Sequence, residues 1–88
     1  MTASRMKGGA LAKFAGMICG NPEFWRLVAH RTGKPCESAE DAKAYVLRVC
    51  DIESRAQLDH VPAAEAKFHA AIRLPWTRWL QGARGAQQ

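Results

Sequence analysis

No apolar run in this chain approaches the roughly 18 residues that a membrane-crossing helix needs. Lys13 and Gly16 interrupt the apolar part of the N-terminal segment, so the clean core of a secretory leader is missing as well. A cytoplasmic protein is expected. No stretch alternates apolar with polar residues, and β-branched residues never gather into runs, so strands are not expected. Cysteine is sparse and odd in number, with three residues at 19, 36 and 50. Such a set does not fit the disulfide framework of a small secreted domain. Reduced, partly buried thiols are expected instead. There is no glycine-rich phosphate loop, because Gly8-Gly9 is an isolated pair. Acids are scarce at both ends: Glu23 stands alone among residues 1–34, and none follows Glu65.

What is present is a chain of 88 residues, 48% hydrophobic, with a net charge of +5. That length gives one domain with a single core. The charge is unevenly spread. Residues 1–34 carry six Lys or Arg against one acid, residues 35–68 carry four against seven, and residues 69–88 carry three against none. Both ends are basic and the middle is acidic. If the ends meet in space, they form the basic face of a polyanion binder. The simpler alternative is an acidic half packed on a basic half.

Helical periodicity runs through the chain. Leu11, Phe14, Ala15 and Ile18 recur on one face, and Gly20 stops that first helix. Asn21 is a strong N-cap, Pro22 suits the first helical position, and Glu23 favours the positive helix start. The second helix follows through "PEFWRLVAHR" to Gly33, with Phe24, Leu27, Val28 and Arg31 on one face and Trp25 to one side. Ser38 caps a third helix whose stripe is Ala42, Tyr45, Val46, Val49 and Cys50. Ser54 and Gln57 form a capping box on a short turn, and its Leu58 plugs the core. A last helix starts near Pro62, with Ala64, Phe68, Ala71 and Ile72 inward. Pro75 forces a kink or restart, after which Trp76, Trp79 and Leu80 continue the apolar face. The expected architecture is all-α: one small domain of four to five short helices over residues 9–81. A flexible arm is expected at residues 1–8 and a flexible tail at 82–88.

The spacing of Cys19, Cys36, Cys50, His30, His60 and His69 matches no zinc module. No motif marks a nucleophile. The pair Glu40/Asp41 is explained by a helix start, and Asp51/Glu53 by a turn. No enzyme, metal or small-molecule cofactor is expected.

Nucleic acid is the stronger prospect. Each of the three tryptophans has an arginine near it: Trp25 beside Arg26, Trp76 near Arg73, and Trp79 beside Arg78. Arginine with an aromatic ring suits phosphate contact plus base stacking. The competing explanation is that tryptophan fills the core, which the helical spacing favours for Trp79. The first two helices also have the lengths of a helix-turn-helix, with Arg26, His30 and Arg31 pointing outward. The candidate contact residues are Arg26, Arg31, Lys34, Arg55, Arg73 and Arg78, with Trp25 and Trp76 as stacking groups. Arg55 has an alternative role in pairing with Asp51 or Glu53. A protein-interaction surface is the rival class.

The segments "MICGNPEFWRLV", "SAEDAKAYVLRVC", "DIESRAQLD" and "AKFHAAIRLPWTRWL" together resemble a group of small phage and prophage proteins. The resemblance runs from about Met17 to Leu80. Asp51 stands where that pattern often has glycine, and Gln57 where it often has glutamate. The group has no assigned activity, but its members are similar to proteins found with phage recombination and replication functions. The resemblance therefore implies an accessory role in DNA metabolism, or inhibition of a host protein such as a defence complex. It implies no site residues.

Overall fold

In the computed structural model, residues 9–85 are described, with side chains described as far as Gly82. The expected arm at 1–8 and the end of the expected tail at 86–88 lie outside them. Helix α1 spans Ala10–Cys19, α2 Pro22–Thr32 and α3 Ala39–Cys50. A 3-10 turn over Arg55–Asp59 leads into α4 at Pro62–Phe68, a π turn at His69–Arg73, and α5 at Leu74–Gly85. The last three segments run on without a break, so the described residues form four helical rods. There is no strand among the described residues. The fold is all-α.

Local chemistry explains the boundaries. The Asn21 side chain accepts from Glu23 N–H at 2.9 Å, and Pro22 occupies the first turn of α2, where no donor is needed. Gly33 ends α2 in the left-handed region at φ 72°. Ser38 caps α3 through Asp41 N–H at 3.1 Å, while the Asp41 carboxylate reaches back to Glu37 N–H at 3.0 Å. Asp51 ends α3 at φ 59°, a left-handed conformation that glycine would favour. The Ser54–Gln57 capping box is formed, with Ser54 N–H donating to Gln57 Oε1 at 3.0 Å.

Helix α1 has no capping side chain of its own at Gly9. Its free N–H groups are taken by Asp59, whose carboxylate accepts from Gly9 at 2.8 Å, Leu11 at 3.1 Å and Ala12 at 2.9 Å. A Cβ at Gly9 would lie 3.0 Å from Asp59 Cγ, so the close approach depends on glycine there.

Pro75 neither breaks nor restarts the last rod. It lacks an N–H, and its ring would crowd the carbonyl four residues back. The preceding π turn widens the helix to absorb this, with Leu74 N–H donating to His69 O five residues back. The rod then passes through Gly82 to Gly85, beyond the point where a tail was expected.

The core lies where the rods meet. Phe24, Phe68, Ile18, Leu58, Ile72, Val46, Cys19 and Cys50 are its largest fully buried side chains. Each large apolar group adds about 1.5–3 kcal/mol on burial. Phe24 meets Trp76 edge to face at 5.5 Å, and Phe14 meets Phe68 in the same way at 6.0 Å.

Candidate nucleic-acid interface

Helices α2 and α5 lie antiparallel. Glu23 faces Trp79 and Gly82 at one end of their seam, and Arg31 faces Pro75 and Arg78 at the other. A hollow of about 280 Å³ opens on this seam, lined by Leu27, His30 and Arg31 from α2 and by Pro75, Arg78 and Trp79 from α5. One arginine from each basic third of the chain, Arg31 and Arg78, therefore borders the same hollow. Arg31 and Arg78 are exposed, and among the described residues neither forms an ion pair. His30 packs against Trp79 with ring centroids 5.7 Å apart. Trp79 is half-buried, and its indole N–H donates to Glu23 Oε2 at 2.5 Å. A cationic hollow bordered by an aromatic ring can hold a phosphate and a flat unsaturated group together.

The remaining candidates are placed elsewhere. Arg26 is exposed on α2 and pairs with Glu23 at 3.8 Å. Lys34 follows α2 and borders a different hollow, with Tyr45 and Arg48. The Arg73 guanidinium stacks over the Phe14 ring at 5.4 Å, which faces it toward α1. Arg55 pairs with neither Asp51 nor Glu53. Its guanidinium lies beside the Cys19 thiol and against Gly16 of α1, so it joins the 3-10 turn to that helix.

Trp76 needs correction as a stacking group, whereas Trp25 keeps a surface on a separate hollow with Pro22, Arg26 and Cys36. Trp76 is 5% exposed and packs edge-on to Phe24, so it offers no surface to a base. Trp25 is half-buried, and its indole N–H donates to Cys19 O at 2.7 Å. That bond satisfies a carbonyl left over at the end of α1, which explains the aromatic following the Gly-Asn-Pro joint. Trp79 packs half-buried against the core, as its spacing suggests, and is also the tryptophan that borders the cationic hollow. Its i+4 relation to Pro75 and its neighbour Arg78 were visible in the sequence, but the partner helix α2 was not.

Arg26, His30 and Arg31, the outward groups of a helix-turn-helix reading, are exposed on α2. The side of α2 that would read bases carries His30 and Arg31, and α5 lies alongside it through Trp79.

Among the described residues, no three of His, Cys, Asp and Glu converge to hold a metal ion, and no helix is long and apolar enough to cross a membrane. No known protein family, curated protein or solved structure matches the chain.

Proposed function

We propose that this chain is a small phage-type accessory protein that binds DNA, or a DNA–protein complex, in recombination or replication. The observation that carries this is the pair of unpaired arginines, Arg31 and Arg78, facing one another across the α2–α5 hollow beside His30 and Trp79. Unpaired cations on a concave surface hold phosphate without first breaking an internal ion pair. The phage link rests on the sequence resemblance.

Fluorescence anisotropy with labelled DNA tests it. Two phosphate contacts give an affinity loss of about tenfold between about 50 and 200 mM salt. Replacing Arg31 and Arg78 together with alanine should abolish the salt-sensitive part. Binding that ignores salt, or that survives the double substitution, would contradict the proposal.

One observation favours a second function, a protein-interaction module that inhibits or adapts a host protein. Leu74 is 47% exposed in a shallow depression shared with Ala66, Ala70 and Thr77. Such a surface fits an apolar partner side chain. Leu74→Asp would then abolish capture of that partner and leave DNA binding unchanged.

A further inference from the structure

Resting on the DNA-binding proposal above, we infer that the α2–α5 seam is a single-stranded DNA subsite. It takes one unpaired base against Trp79, with the flanking phosphates on Arg31 and Arg78.

Shape is the first argument. The seam is a trough, not a ridge. Beyond the hollow at Arg31 a second one continues toward Glu23 and Gly82, and the two share Arg78 and Trp79. A duplex reader needs a projecting element that enters the roughly 12 Å major groove. Here His30 and Arg31 open into a recess walled by α5, and the His30 ring is already packed on Trp79. A thin, flexible strand fits such a recess more readily than a duplex does.

The number of free cations is the second. Strong duplex binders make on the order of 6–10 phosphate contacts. The trough offers two free arginines. Among the other candidates, Arg55 lies against Cys19, Arg73 over Phe14 and Arg26 beside Glu23, while the exposed Lys34 borders a different hollow. Two contacts are enough to place a short strand when stacking adds to them.

The third is the ring itself. The Nε1 edge of Trp79 is tied to Glu23, which fixes the indole alongside α2 while it borders both hollows. A held ring loses little freedom when a base stacks on it. Inside a duplex the base faces are already stacked on their neighbours, whereas an unpaired base has a face to offer.

The test measures anisotropy of a labelled oligothymidylate of about twelve nucleotides, within the usual single-strand site size. It is compared with a duplex of the same length at about 50 mM salt, a range where few-contact binding is visible. The single strand should bind at least tenfold more tightly. Trp79→Leu should weaken it about tenfold, the loss expected for one stacked base. Trp79→Phe, which keeps a ring face, should retain most of the affinity. Circular dichroism melts confirm that each variant is folded, and Arg78→Ala is an exposed-site control that weakens binding without touching the core. Duplex binding equal to or tighter than single-strand binding would overturn this inference and leave the DNA-binding proposal standing. So would an unchanged single-strand affinity in folded Trp79→Leu when Arg78→Ala weakens it. Binding to neither form would overturn both.

Discussion

The indole N–H of Trp79 donates to the carboxylate of Glu23 across 56 positions of sequence. This bond ties α5 to the first turn of α2 and lays the ring along the seam. The same carboxylate sits 3.8 Å from Arg26 and at the positive end of α2. Glu23→Ala removes all three interactions and should cost about 1–2 kcal/mol. The melting temperature falls by about 4–8 °C per kcal/mol in a domain of this size. Glu23→Gln keeps an acceptor for the indole and should lose about half as much. Thermal melts of the two variants check the order, and a stable Glu23→Ala would show that the bond carries nothing.

Asp59 should be the most sensitive surface carboxylate. Its slight burial disfavours the charge, but the backbone N–H donors of Ala12, Leu11 and Gly9 together outweigh that, so its pKa lies below the usual aspartate value. A carboxylate with a depressed folded pKa stabilises the fold above its unfolded value of about 3.9 and loses that contribution as pH falls through the folded value. Asp59→Ala should therefore cost about 1–2 kcal/mol at neutral pH, as for the loss of a helix cap. The gap from the parent chain should narrow as pH falls below about 3.9 and close only below the folded value. Melts between pH 7 and pH 2.5 measure it, and a gap independent of pH would rule out the charged cap.

These two bonds show where legibility in sequence ends. Local signals were readable: the Asn21 and Ser38 caps, the Ser54–Gln57 box and the apolar stripes all specify structure within a few residues of themselves. Phe24, Val46, Leu58 and Phe68 are buried as their spacing requires. Asp59 and Trp79 find partners 50 and 56 positions away, and no periodicity encodes that. The site suffered most for the same reason. Arg31 and Arg78 share a hollow because α2 and α5 are antiparallel neighbours, while Arg55 and Arg73, equally basic in sequence, face α1. Pro75 pointed to a kink or restart because its lost hydrogen bond is obvious, but the helix runs on through a widened turn.

Asp51 offers a stabilising substitution. It is held at φ 59° and ψ 51°, where a side chain is strained and glycine is not. Aspartate tolerates this region better than most residues, and glycine brings extra unfolded-state entropy, so the net gain is modest. Asp51→Gly should add about 0.5 kcal/mol, a rise of about 2–4 °C. Asp51→Val should lower stability, since a β-branched residue resists positive φ. A melt in which glycine scores below aspartate would contradict the strain.

The three thiols should react in a fixed order. Burial raises each above its ordinary pKa. Arg55 partly offsets this at Cys19 and Lys67 at Cys50, whereas Asp41 adds to it at Cys36. Cys19 and Cys50 are fully buried and Cys36 is half-buried. Maleimide labelling at neutral pH should modify Cys36 first and slowly, and reach the other two only as the domain opens. Mass spectrometry of timed samples reads the order, and early labelling of Cys19 would contradict the packing around Arg55.

The central claim is that the α2–α5 trough is where DNA binds. Amide chemical-shift mapping during titration with a short single strand tests it most directly. The largest shifts should fall at Leu27, His30, Arg31, Arg78 and Trp79, including the Trp79 indole N–H, with Lys34, Arg55 and Trp25 unmoved. Shifts centred instead on Lys34 and Arg48, or on Arg73 and Leu74, would place the contact on another face and contradict the account.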